Sequence, residues 1–197
     1  MSQIAIDGGV ELVPAPRHGG GSIGSTGMWT FLATDAMGFG GLLLAYGVLR
    51  VRAGVGTWPD PREHLALAPA AAMTFALLAS SLTMTLATRA PAAGARRGWL
   101  VATLALGVAF LAGAAIEYRH LLGGATPMGL TSHLFASTFY VVTGFHALHV
   151  LAGVVGLGFM FRAKTGAQAP ETFSLYWHFV DAMWMPIFTL VYLWPTR

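Results

Sequence analysis

The residues of this sequence that could do chemistry are a few ionisable side chains within strongly apolar segments. They are Asp35, Glu117, His146, His149, His178 and Asp181. Two pairs among them, His146 with His149 and His178 with Asp181, are three positions apart, so each pair projects from one face of a helix. An ionisable group inside a membrane costs roughly 3 kcal/mol unless it faces protein or water. Both pairs are therefore expected to point away from lipid.

A metal or haem site is the first chemistry that these residues bring to mind. The HALH segment (146–149) has ligand spacing, but two histidines one turn apart need a third or fourth ligand. Glu117 or the pair of His178 and Asp181 could complete the set only if the helices meet, and a bis-histidine haem needs one HALH histidine to face His178. A hydrogen-bonded lock between helices is the more ordinary use of such residues. No metal site and no catalytic residue is predicted.

A proton path is the second chemistry, and it depends on Asp35. This residue comes about a turn and a half into the first predicted helix, or roughly 9 Å along it. A lone carboxylate is not a path, and no row of acidic residues lines the other predicted helices. A structural role and a role in proton entry or lipid contact therefore both stay open for Asp35.

Composition indicates a membrane protein. Hydrophobic residues make up 55% of the 197 residues and charged residues only 10%, whereas soluble domains average roughly 25% charged. The 11 basic and 8 acidic residues form no run of one sign, so nucleic-acid binding is not predicted. The sequence has no cysteine, which excludes disulfides, thiolate metal sites and cysteine nucleophiles.

Five apolar stretches are long enough to cross a bilayer, whose hydrocarbon core of about 30 Å needs about 20 residues of helix. They lie near 28–50, 66–88, 98–119, 132–161 and 175–194. The segments between them combine arginine or lysine with glycine or proline, which is typical of turns. We therefore predict an all-α integral membrane bundle of five transmembrane helices (28–197) after a polar N-terminal tail (1–27).

Positive charge is almost evenly divided between the two sides of such a bundle. Arg89, Arg96 and Arg97 form the most compact basic loop, and by the positive-inside rule this loop favours a cytoplasmic N-terminus and a periplasmic C-terminus. Arg96 and Arg97 are also candidates for contacts with lipid headgroups, with plain topology anchoring as the alternative.

Four segments resemble subunit III of the haem-copper (cytochrome c) oxidases, in the short bacterial form with five helices. FYVVTGFHALHVLAGV (139–154) and YWHFVDAMW (176–184) resemble the signature segments of that family. AAIEYRH around Glu117 and WTFLATDAMGF around Asp35 resemble its two other polar helix segments, in the same order. The resemblance extends from about Trp29 to Trp194.

This resemblance implies a non-redox accessory subunit of a proton-pumping terminal oxidase in the bacterial cytoplasmic membrane. Haems and copper would be held by subunits I and II, with subunit I as the main contact and with small subunits and cytochrome c or another electron donor as further partners. Structural phospholipids would occupy a cleft, and the chain would support assembly and proton uptake in aerobic electron transport. The alternatives are a similar subunit of a nitric oxide reductase and a stand-alone transporter, although no inverted repeat is visible.

Two positions depart from the family pattern. The family usually has glutamate where this chain has Asp35, so the carboxylate is one methylene shorter. Pro186 stands where the family tends to have a large apolar residue, and it removes a hydrogen bond to the carbonyl of Ala182, so we expect a kink after the polar motif.

The polar residues of the third, fourth and fifth predicted helices are expected to contact one another, because each needs a partner in a dry site. These residues are Glu117, His146, His149, His178 and Asp181.

Overall fold

The structure is a computed structural model that describes residues 23–53, 58–61, 65–124, 127–162 and 169–194. Long helices occupy most of these ranges, which confirms the predicted all-α bundle. The helices are α1 (Ile23–Arg52), α2 (Leu67–Arg89), α3 (Ala93–Gly123), α4 (Leu134–Arg162) and α5 (Ala169–Phe188), and α5 continues as a π-helical turn (Thr189–Leu193). Most of the predicted polar tail (1–27) lies outside the described residues, and α1 begins at Ile23.

Four of the described helices, α1 to α4, are long and apolar enough to cross a membrane. The chain is therefore a multi-pass membrane protein. α5 is shorter, at 20 residues, and it carries Glu171, His178 and Asp181. That α5 also crosses the membrane stays a prediction.

α1 and α5 run in the same direction, because their starts and their ends meet. Near the starts, the rings of Phe31 and Tyr176 have centroids 6.2 Å apart. At the ends, the guanidinium of Arg50 donates to the carbonyl oxygens of Leu190 (3.4 Å) and Trp194 (2.8 Å). Arg50 thus supplies donors to carbonyls of the π-helical turn and of Trp194 directly after it, where a helix leaves its own carbonyls unpaired.

α2 runs against α5, and indole hydrogen bonds connect them. Nε1 of Trp177 donates to Oγ of Ser80 (2.9 Å), and Nε1 of Trp184, two turns further along α5, donates to Oγ1 of Thr74, which comes earlier on α2 (2.9 Å). Both indoles are almost fully buried. A buried indole N–H needs an acceptor, so the hydroxyls of α2 are what allow two tryptophans into the core.

Trp177 also lies between two glycines, one on α3 and one on α4. A Cβ atom on Gly107 would lie 2.8 Å from Cη2 of Trp177, and one on Gly153 would lie 2.7 Å from its Cζ3. Real Cβ atoms do not approach a ring so closely, so any larger residue would displace the indole. The ring of Trp177 therefore joins α2, α3 and α4 to α5.

Pro186 lies inside α5, and the helix continues through it to Phe188. The backbone then changes to the π-helical turn (Thr189–Leu193). Widened turns of this kind accompany interruptions of the regular hydrogen-bond ladder. We expected a kink just after the polar motif, and that kink stays a prediction; the change of helix type lies about one turn beyond the motif.

Candidate functional site

The side chains of Asp35 and His149 contact each other and join α1 to α4. Oδ1 of Asp35 lies 3.2 Å from Nε2 of His149, and the two side chains are only 11% and 16% exposed. Because α1 begins at Ile23, Asp35 lies roughly 18 Å along the helix and not the 9 Å expected from sequence. Nor is it a lone carboxylate, since a histidine faces it.

The geometry of this pair requires a proton. Nδ1 of His149 lies 2.8 Å from the carbonyl oxygen of Phe145, and a carbonyl only accepts, so Nδ1 carries a hydrogen. If neither Nε2 nor Oδ1 carried a hydrogen, their lone pairs would face each other and repel. Their contact therefore needs one further proton, on Nε2 or on Oδ1, and the pair holds that proton between α1 and α4.

Aromatic residues and a second carbonyl contact surround this pair. The rings of Phe39 and Phe145 have centroids 5.1 Å and 4.6 Å from that of His149, and the hydroxyl of Tyr176 donates to the backbone carbonyl of His149 (2.8 Å). Oδ2 of Asp35 is buried and has no hydrogen-bond partner among the described residues. The proton-holding pair is thus largely shielded, with one oxygen left to receive a further donor.

His178 and Asp181 face α2, not α3 and α4 as expected from sequence. Nδ1 of His178 lies 2.6 Å from Oγ of Ser81, and its Nε2 lies 3.4 Å from Oγ1 of Thr85. Asp181, which is 5% exposed, faces Ser80 and Ser81, although neither carboxylate oxygen has a partner within hydrogen-bond distance among the described residues. The difference arises because the face of α5 that carries these residues packs on α2, whose hydroxyl groups of Ser81 and Thr85 contact His178.

Glu117 on α3 contacts the π-helical turn that follows α5. The hydroxyl of Tyr192, in the π-helical turn, donates to its Oε2 (2.8 Å). Oε1 is buried and has no partner in the described part of the chain. Of the five polar residues, Glu117 is the one whose hydrogen bond joins α3 to the last helical segment, as expected.

His146 is enclosed by rings and makes no hydrogen bond from either ring nitrogen to a described residue. It is completely buried, with ring centroids of Trp184 at 5.0 Å, Phe110 at 5.6 Å and Phe39 at 6.2 Å. His146 therefore contacts α1, α3 and α5 by packing and does not face the same partner as His149.

These placements separate the residues that could have formed a ligand set. His149 faces α1, His178 faces α2 and Glu117 faces the π-helical turn. Within the described ranges, no group of three or more His, Cys, Asp or Glu residues is arranged to hold a metal ion. The arrangement places these polar groups at separate helix contacts.

Arg96 and Arg97 lie in the first turn of α3, directly after the short connection from α2. Arg96 is half-buried and Arg97 is exposed. Their position at one end of the bundle is compatible with either headgroup contact or topology anchoring.

Comparison with known proteins gives a consistent result over nearly all of the described chain. Residues 24–196 match the family model for cytochrome c oxidase subunit III. The "Probable cytochrome c oxidase subunit 3" of Mycobacterium tuberculosis (strain ATCC 25618 / H37Rv) is 38% identical over 180 residues, covering 85% of this chain and 86% of its own length.

Two other relatives give similar values. The "Cytochrome c oxidase subunit 3" of Corynebacterium diphtheriae is 39% identical over 180 residues, covering 85% of this chain and 86% of its own. The protein of the same name from Synechocystis sp. is 37% identical over 189 residues, covering 90% of this chain and 78% of its own. The similarity is therefore not confined to one motif.

Proposed function

The chain belongs to the cytochrome c oxidase subunit III family, and from that membership we propose that it is the non-redox accessory subunit of a proton-pumping haem-copper terminal oxidase. It lies beside subunit I in the bacterial cytoplasmic membrane, with its N-terminus on the cytoplasmic side. Haems and copper belong to the partner subunits, and cytochrome c or another donor supplies electrons to the complex. This chain supports assembly, binds structural phospholipids and assists proton uptake.

The observation that carries the proton-uptake role is the pair of Asp35 and His149. Its 3.2 Å contact holds one proton in a largely shielded place, and Oδ2 of Asp35 is left without a described partner. A group that holds a proton and retains an unused acceptor can receive a proton from one neighbour and release it to another. Asp35 in α1 therefore has the chemistry of a proton-entry carboxylate, although its side chain is short.

Purification through a tag on this chain tests the assignment. When the tagged chain is purified from its native membrane, a haem-bearing subunit with oxygen-reducing activity should co-purify with it. An untagged strain serves as the control. The same chain produced alone should show no haem absorbance. Haem bound to the isolated chain would contradict the proposal.

The two alternatives are distinguished by the same preparation. If the purified assembly reduces nitric oxide and not oxygen, the chain belongs to a nitric oxide reductase. Ion or solute flux through liposomes that contain only this chain would indicate a transporter. The relatives reported above are named as cytochrome c oxidase subunits, which favours the oxidase.

A further inference from the structure

The hydroxyl groups of α2 that face α5 have hydrogens whose positions follow from their partners. The hydroxyl of Ser80 donates to the carbonyl of Leu77 (2.7 Å) and accepts from Nε1 of Trp177 (2.9 Å). The hydroxyl of Thr85 donates to the carbonyl of Ser81 (3.1 Å). Because a hydroxyl has a single hydrogen, neither Ser80 nor Thr85 has one left to donate to a side chain of α5.

The hydrogen of Ser81 can be assigned through His178. Nε2 of His178 lies 3.4 Å from Oγ1 of Thr85, whose own hydrogen is already donated, so a hydrogen on Nε2 avoids two facing lone pairs. Nδ1 of the neutral ring then carries only a lone pair, and it lies 2.6 Å from Oγ of Ser81. The hydrogen of Ser81 is therefore donated to His178.

Asp181, three positions after His178, faces the same hydroxyls. Ser80 and Ser81 are the polar side chains next to its carboxyl group, yet neither carboxyl oxygen has a hydrogen-bond partner among the described residues. This is the result expected when both serine hydrogens are donated elsewhere. An ionised carboxylate at this position, which is 5% exposed, would be buried against the lone pairs of two oxygens, and such burial is costly. A neutral carboxylic acid brings its own hydrogen and needs no cavity.

We propose that Asp181 is a protonated carboxylic acid at rest and that Ser81 passes its proton to His178. The acid donates to a free lone pair of Oγ of Ser81. As the proton of Asp181 moves to Oγ, the hydrogen of Ser81 moves to Nδ1 of His178, and Nε2 releases its own hydrogen to a base outside the bundle. One proton leaves the site and no other atom is gained or lost.

The site keeps a complete set of hydrogen bonds after the proton has left. Nδ1 of His178 then donates to Oγ of Ser81, and the hydroxyl of Ser81 donates to the carboxylate of Asp181. Asp181 is buried and His178 is half-buried, so the proton leaves toward the surface of the bundle. No ionisable side chain of another helix, among those described, acts on either residue. The exchange thus depends on the hydroxyls of α2, and it requires neither Asp35 nor the oxidase assignment.

Infrared spectroscopy of the full-length chain in lipid bilayers near neutral pH tests the resting state. A protonated carboxyl group has a C=O stretch separate from the bands of a carboxylate, and carbon-13 labelling of aspartate identifies which bands belong to aspartic acid. One labelled carboxylic-acid band should persist in Asp35→Asn and be lost in Asp181→Asn. Absence of that band from a labelled Asp35→Asn chain would overturn the proposal, even if Asp181→Asn fails to fold.

Nitrogen-15 NMR of the histidine rings tests the transfer, with His178→Gln to assign the resonance. Near neutral pH the hydrogen of His178 should be on Nε2. When the pH is raised until the Asp181 band is lost, the hydrogen should change to Nδ1. Ser81→Ala should abolish this change, whereas Thr83→Ala, whose hydroxyl donates within α2, should retain it. A hydrogen on Nδ1 near neutral pH, or an unaltered change in a folded Ser81→Ala chain, would contradict the relay.

Discussion

Nε2 of His149 on α4 lies 3.2 Å from Oδ1 of Asp35 on α1, while Nδ1 of the same ring is held by the carbonyl of Phe145 at 2.8 Å. The imidazole is therefore fixed in orientation, with a hydrogen on Nδ1 that the carbonyl accepts. α1 is bound to the rest of the bundle through this pair, through ring contacts and through Arg50. A change at Asp35 should affect both the attachment of α1 and the proton that the pair holds.

The first prediction concerns the energy of this pair. Asp35→Ala, His149→Ala and the double variant should give a coupling energy of about 0.6 kcal/mol, and up to about 1.7 kcal/mol, which is the range for polar pairs between membrane helices. Unfolding of the full chain in detergent measures it. Thr34→Ala combined with His149→Ala is the control and should be additive, because the hydroxyl of Thr34 donates to the carbonyls of Thr30 and Phe31 in its own helix. If the unfolding free energies of Asp35→Ala and His149→Ala are also additive, the contact between the two side chains does not stabilise the bundle.

The second prediction concerns activity of the assembled complex. Asp35→Ala should leave assembly intact but reduce proton uptake and the duration of turnover, because the pair can no longer hold its proton. Asp35→Glu, which keeps the carboxylate and lengthens the side chain by one methylene, should retain both. Oxygen consumption and proton uptake of reconstituted complexes over many turnovers measure the effect. If Asp35→Ala turns over for as long as the unchanged complex, Asp35 has only a structural role.

The third prediction concerns the packing of Trp177 against Gly153. Gly153→Ala should destabilise the bundle by about 1 to 3 kcal/mol, as is usual for overpacking, because the new Cβ would lie 2.7 Å from Cζ3 of a buried, rigid indole. Gly40→Ala on α1 is the matched control, since no described residue packs within 4 Å of its Cβ position, and it should be neutral or stabilising by up to about 1 kcal/mol. Equal thermal stability of the two variants would refute the close packing.

The fourth prediction concerns Arg50 and the π-helical turn. Arg50→Leu removes the donors to Leu190 and Trp194 and should cost about 1 to 2 kcal/mol. Amide hydrogen exchange should accelerate in Thr189–Leu193 and remain unchanged in the middle of α3. Arg50→Lys should recover only part of the protection, because an ammonium lacks the fork of a guanidinium. Unchanged exchange in the last turn of Arg50→Leu would contradict this role.

The helices of this chain could be predicted from sequence because the signal is local. About 20 apolar residues between turn residues indicate a span whatever the rest of the chain does. Pairing of polar residues is different. Asp35 and His149 belong to helices separated by two others in sequence, and no local spacing states which faces meet. The side of α5 that carries His178 could likewise not be assigned to α2 from its own sequence.

One signal in the sequence could have identified α2 as a partner. Thr74, Ser81 and Thr85 are seven and four positions apart, so these hydroxyls lie along one face of a helix. A polar stripe in an otherwise apolar helix favours a face turned toward protein.

Trp58 makes a core contact that nothing in the sequence indicated. It belongs to a connection predicted only as a turn, yet it is 7% exposed, with its ring centroid 5.6 Å from that of Phe135 on α4.

The position of Trp177 has a consequence for biogenesis. α5 follows α1 to α4 in the chain, yet it supplies the indole that fills the space between Gly107 and Gly153 and that donates to Ser80. During synthesis, α1 to α4 are therefore made before the side chain that packs against α2, α3 and α4. We expect these helices to complete their packing only after α5 has been made.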